Sequence, residues 1–124
     1  MLLTFSKTQF EPLIKKGIKI HSIRADKHNR WQPGMSIQFW MGNPRNVKNN
    51  PYQFGTGYVS MVRNIEIFPN LNIIGFIGCK MSDEKRLNFI AKSDGFKDWD
   101  EMKEFFKEDF TGKLIYWEKC VWKR

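Results

Sequence analysis

Apolar positions recur at two different periods along this chain, and the switches between them divide it into elements. Leu2–Phe5 is a short apolar start that predicts an edge strand or a segment laid over the core. From Ser6 the spacing turns helical: Phe10, Leu13 and Ile14 fall at i, i+3 and i+4, Lys15 and Lys16 sit near the end, and Gly17 stops the run. Cations in a last turn suit the negative end of the helix dipole. Pro12 cannot lie deep in a helix, so the regular turns are expected from near Glu11. Ile18–Arg24 then reads as strand, with Ile18, Ile20 and Ser22 on one parity and Lys19, His21 and Ile23 on the other. A polar loop, Ala25–Arg30, and a Pro33-Gly34 turn lead into a second alternating strand, Met35–Met41.

Gly42–Gly57 breaks the pattern: it is basic, lacks any acid, carries Arg45 and Lys48, and reaches two aromatics, Tyr52 and Phe54. It is expected to be a long irregular connection, a class that is usually functional or mobile. Tyr58–Ile67 and Ile73–Lys80 are β-rich and parted by Pro69-Asn70. Ser82 is placed to cap a helix running through Lys92, with Leu87, Ile90 and Ala91 on its buried side, and Ser93-Asp94-Gly95 ends it. Asp98 caps a further helix whose stripe of Trp99, Met102, Phe105 and Phe106 predicts core packing. Lys113–Trp122 closes the chain as a strand. Five to six strands with three short helices between them predict one α+β, barrel-like domain over residues 1–124.

Composition supports a folded chain: 41% of residues are apolar, with eleven Phe and five Trp, well above what disordered segments carry. No stretch approaches the roughly 20 apolar residues of a membrane span, and Met1–Phe5 is followed at once by polar and charged residues, unlike a signal peptide. The expectation is a cytoplasmic protein with no membrane partner. Cys79 and Cys120 are far apart, without Cys-x-x-Cys or paired histidines. Two buried, reduced thiols and no metal or other cofactor are expected. The net charge of +8, from 21 basic and 13 acidic side chains, raises the prospect of a polyanionic partner.

Chemistry is densest at Gly17–Arg24, where a lysine, a histidine, a serine and an arginine are set among isoleucines. Asp94 adds an independent hint. A carboxylate at a helix C-terminus faces the negative end of the dipole, which costs about 0.3–1 kcal/mol unless a cation offsets it. Lys19 is the candidate cation. Trp31 is expected to cover the barrel end or to offer a stacking surface for a base, and His21, opposite in parity to Ser22, to pack or face solvent.

Gly17-x-Lys19-x-x-Ser22-x-Arg24, followed by Trp31-x-Pro-Gly34-Met-x-Ile, resembles the signature of the ASCH domain, a branch of the PUA-like superfamily linked to RNA. Ala91-Lys-Ser-Asp94-Gly95-Phe96, with Trp99 and Phe105-Phe106 after it, is similar to that family's acidic-Gly-Phe segment and aromatic helix. The resemblance implies a PUA-like mixed β-barrel. Some small ASCH proteins are amidohydrolases of acetylcytidine nucleosides with a Lys/Thr/Glu triad. By position Lys19 matches the lysine, Ser22 stands for the threonine and Asp94 for the glutamate, while Arg24 matches the motif's arginine.

Two functions follow from the resemblance. In the first, an RNA- or nucleotide-binding domain recognises a base or nucleoside in a basic cleft, where Lys19 and Arg24 contact phosphate or a base edge beside His21 and Trp31, with Arg45 and Lys48 extending the footprint. In the second, Lys19, Ser22 and Asp94 deacylate an acetylcytidine-type nucleoside without a metal. Lysine must then be neutral to take a proton from the serine, which requires a pKa well below its free value of about 10.4. Parity sets a condition. In a flat strand Lys19 and Ser22 point to opposite faces, so the regular strand must begin after Lys19.

Overall fold

The computed structural model describes residues 1–123, arranged as one mixed seven-stranded sheet and three α-helices. Strand β1 (Leu2–Phe5) lies parallel to β3 (Ser36–Met41), and β3 pairs antiparallel with the first part of the 17-residue strand β4 (Tyr52–Phe68). The other edge of β4 pairs with β7 (Phe110–Trp122), which pairs in turn with β2 (His21–Arg24). The end of β4 also carries β5 (Ile73–Phe76), and β5 carries β6 (Cys79–Met81). Helix α1 (Phe10–Lys15) lies in sequence between β1 and β2, and α2 (Glu84–Ser93) and α3 (Trp99–Phe106) between β6 and β7.

The α+β class follows the sequence reading, but the expected five- to six-stranded barrel does not form. The path β1-β3-β4-β7-β2 stops short of closure, because β1 and β2 share no ladder. A side chain crosses the seam instead: Arg24 Nη2 donates to the Thr4 carbonyl at 2.7 Å. Phe10, Lys19 and Phe96 line the space left at this gap.

Boundaries moved where neighbours overrode the local pattern. The 42–57 stretch is irregular only to residue 51, with a 3₁₀ turn at Val47–Asn49, because Tyr52 already pairs with Met41. Gly55 lets that ladder pass directly under the Trp122 ring, where a Cβ would collide. Helix α2 is capped by Asp83, not Ser82: the Asp83 carboxylate accepts the Arg86 N–H at 3.1 Å. Asp98 caps α3 as expected, accepting the Glu101 N–H at 2.9 Å.

The core gathers Leu3, Ile37, Phe39, Phe54, Ile65, Ile67, Ile74, Leu87, Met102, Leu114 and Ile115, all almost wholly buried. Three expectations about burial are corrected. Trp31 is neither lid nor platform: it is 6% exposed and part of the core. Asp26 puts it there, its carboxylate accepting the N–H groups of Arg30 at 2.7 Å and Trp31 at 3.0 Å and so folding the preceding loop inward. In α3, Trp99 and Met102 are core, but Phe105 is 52% exposed and Phe106 half-buried, since the two-turn helix ends at the seam. The thiols are free but not buried. Cys79 is exposed on β6, which pairs on one side only among the described residues, and Cys120 is half-buried. Among the described residues, no helix is long and apolar enough to cross a membrane.

Candidate functional site

Two helix endings of the same kind build the site. In α1, the N–H of Gly17 bonds the Ile14 carbonyl and that of Ile18 the Leu13 carbonyl; in α2, Gly95 bonds Lys92 and Phe96 bonds Ala91. Each is a Schellman motif with glycine in the left-handed region, φ +76° at Gly17 and +95° at Gly95. The chain leaving the first presents Lys19, and the second presents Asp94. The Ile20 N–H to Ser93 carbonyl bond, 2.9 Å, ties the two exits together. Regular pairing of β2 begins at His21, so Lys19 lies in the turn and its side chain is free of strand parity. It lines the same cavity as Ser22 and Asp94, as the convergence of the three requires.

Lys19 is only 1% exposed and Asp94 4%. The Lys19 ammonium donates to the His21 carbonyl at 2.8 Å, to the Asp94 carbonyl at 2.5 Å and to Asp94 Oδ1 at 3.2 Å. It thereby neutralises the carboxylate and caps the negative end of α2, the partner that the position of Asp94 called for. His21 Nδ1 lies 3.0 Å from the same Oδ1. An ionised carboxylate only accepts, so this imidazole carries its proton on Nδ1. His21 is therefore an internal member of the cluster, 1% exposed, with its ring edge-on to Tyr116.

Aromatic faces surround the ammonium: Nζ is 4.5 Å from the Phe10 ring centroid and 5.7 Å from that of Phe5. Burial pushes the Lys19 pKa down; Asp94 offsets part of this by its charge and hydrogen bond, and the nearby Arg24 adds to the lowering. Gly95 leaves room for the lysine stem, since a Cβ there would lie 2.9 Å from Lys19 Cδ and 3.0 Å from the Phe10 ring.

Ser22 and Arg24 share the parity of β2 that faces the gap. Arg24 Nε donates to Ser22 Oγ at 3.1 Å while Nη2 holds Thr4 across the seam, and the guanidinium lies 5.0 Å from the Phe5 ring. Burial lowers the Arg24 pKa, with Asp94 acting against it, though a guanidinium keeps its charge throughout the ordinary range. The Ser22 hydroxyl keeps its own proton to donate.

The cavity these groups line has a volume of about 150 Å³ and is walled by Phe5, Phe10, Phe96, Phe105 and Phe106. Chemically it offers an aromatic slot lined also by the hydroxyl-bearing residues Thr4, Ser6 and Ser22, one arginine and a buried ion pair. Because its three N–H groups all meet protein oxygens, Lys19 presents no donor to a phosphate. Arg45 and Lys48 are exposed on the 42–51 connection and do not line the cavity, and neither does Trp31. Thr4 and the five phenylalanines were not legible as site residues. The phenylalanine spacing matches core packing, and only the meeting of β1, α1, the end of α2 and α3 at the seam puts these residues around Ser22. No group of histidine, cysteine or carboxylate side chains among the described residues has the arrangement of a metal site.

No protein-family model matches the chain, and no curated protein or solved structure shows significant similarity to it.

Proposed function

We propose that this chain is a PUA-like domain of the ASCH type that takes a pyrimidine base, of a nucleoside or of RNA, into the seam cavity. The observation that carries the reading is the cavity's size and lining. About 150 Å³ is the volume of an apolar cavity that accepts benzene, so the slot matches one six-membered ring and leaves a sugar outside. Phenylalanine faces suit the flat faces of a base, and the Arg24 guanidinium and Ser22 hydroxyl suit its polar edge.

Titration of the amide NMR spectrum with cytidine, uridine and adenosine tests this. The pyrimidines are expected to shift the resonances of Ser22, Arg24 and Gly95 saturably, and the larger purine much less. Arg24→Gln removes a charged hydrogen bond, which is worth about 1.5–3 kcal/mol, so pyrimidine affinity falls at least tenfold. The absence of any pyrimidine-induced shift at these residues would end the proposal.

A second reading is favoured by one observation: Lys19, Ser22 and Asp94, the set implied by the amidohydrolase resemblance, line this one cavity. Ser22 Oγ would attack the acetyl carbonyl of an acetylcytidine-type nucleoside while Arg24 Nε stabilises the carbonyl oxygen. Lys19, in its neutral form, would take the serine proton and pass it to the cytidine amino group as the C–N bond breaks, and water would then release acetate from the serine. Desolvation of Lys19 favours the neutral form, while its three oxygen partners favour the ammonium. Release of cytidine from acetylcytidine, lost in Ser22→Ala, is the expected result for an enzyme. Cytidine binding without such release leaves the binding reading alone.

A further inference from the structure

We infer that a groove between α2 and the β5–β6 hairpin is a second ligand site, built to hold single-stranded nucleic acid. It stands apart from the seam cavity in residues and does not rest on the base-binding reading. The groove has a volume of about 960 Å³ and is lined by Arg63, Phe76, Lys85, Arg86, Phe89 and Lys92 among others. Those residues include four cations, and Asp83 is the one acid in the lining, a ratio of 4 to 1 against 21 to 13 for the whole chain. The Asp83 carboxylate is itself occupied by the Arg86 N–H at the helix cap.

Aromatic surface interleaves with this charge. Phe89 projects from α2 with 68% exposure, a large apolar side chain that nothing in the fold covers. Across the groove the Arg63 guanidinium stacks on the Phe76 ring at 4.1 Å, a planar, cationic platform already assembled. A positively charged groove with aromatic faces along it is how proteins hold single strands: phosphates follow the cations and bases stack on the rings. An acidic peptide would satisfy the charge but leaves the exposed ring faces without a planar partner. This groove, and not the 42–51 connection, is then the nucleic-acid surface to which the net charge points.

Fluorescence anisotropy of a labelled 12-nucleotide oligoadenylate, whose purines are too large for the seam cavity, measured across a potassium chloride series, tests the inference. Binding is expected with a log–log salt slope near −3, from about 0.7 per phosphate for four cations on a single strand. Phe89→Ala is expected to weaken binding about 5- to 150-fold with the slope unchanged, the range for loss of one stacked base. Lys85→Ala and Lys92→Ala each reduce the slope by about 0.7, while Lys48→Ala, the same charge change on the 42–51 connection, leaves affinity within twofold. Equal losses in Lys48→Ala and Lys85→Ala, or no loss in Phe89→Ala, would mean diffuse attraction to a basic protein and overturn the site. Displacement of the oligonucleotide by polyglutamate of equal charge would assign the groove to acidic peptides and overturn it too. Cytidine saturation of the seam cavity should leave oligonucleotide affinity unchanged, so each site can fail without the other.

Discussion

The seam cluster and the α2 groove both set basic side chains against phenylalanine, yet burial makes them opposite kinds of surface. Lys19 at the seam is 1% exposed, its three N–H groups are all taken by protein oxygens, and a carboxylate shares its charge. In the groove Lys85, Arg86 and Lys92 are exposed, and the one ion pair among them, Arg86 with Asp83 at 3.6 Å, is solvated. Coulomb energy between two charges rises as the local dielectric falls, but so does the cost of leaving either unpaired. The buried lysine therefore has to be satisfied by the fold and serves to hold the site together. The exposed ones contribute little to stability and keep their charge available for a partner.

Breaking the buried pair is the strongest way to test that contrast. Lys19→Met leaves Asp94 buried and uncompensated apart from His21, with an expected loss of about 3–5 kcal/mol by urea denaturation. Adding Asp94→Leu should restore much of the loss, because an apolar pair of similar volume needs no desolvation. A pH series gives an independent readout. The folded-state pKa of Lys19 lies below its ordinary value of 10.5 because of burial. Between that lowered value and 10.5 the unfolded chain binds more protons than the folded one, so wild-type stability climbs with pH across the window. The Lys19→Met protein should lack that rise, and an identical slope in both proteins would contradict the assignment.

Gly95→Ala perturbs the same cluster by crowding. The added methyl meets Lys19 Cδ and the Phe10 ring at a φ of +95°, and overpacking of this kind costs about 1–3 kcal/mol. Thermal denaturation measures it, and a crystal structure should show the lysine stem displaced.

Asp26→Ala, away from both regions, frees the Arg30 and Trp31 N–H groups and is expected to cost about 1–2 kcal/mol. Burial works to raise the Asp26 pKa, but hydrogen bonds from Trp31 and Arg30, with the charges of Lys113 and Arg30, hold it below the usual carboxylate value. Its stabilisation is present above that usual value and disappears as pH falls through the lowered one. Acid titration of wild type and variant should therefore converge at the lowest pH.

The smallest effect belongs to the groove. Phe89→Ser should change stability by no more than about 0.5 kcal/mol, as for other surface substitutions. A larger loss would show that the ring is supporting the fold.

Local rules were enough for much of this protein. The 3.6-residue spacing of Phe10, Leu13 and Ile14, the glycine stops at Gly17 and Gly95, the Asp98 cap and the β1 segment were readable because each rests on contacts within a few residues. The dipole at the end of α2 likewise called for a cation beside Asp94, and the opposed parity of Lys19 and Ser22 called for a strand that starts after Lys19. Neither argument needs a distant neighbour.

Tertiary structure alone decided the rest. That β1 returns parallel to β3 and faces β2 across an open seam depends on strand pairing between residues far apart, and with it came the cavity, its phenylalanine walls and the Arg24 bridge to Thr4. Trp31 turned inward because Asp26 captured two backbone N–H groups, and Phe105 stayed exposed because α3 ended at the gap. Periodicity tells which residues share a side of an element. What that side meets, whether core, cavity or water, is fixed only when the elements pack.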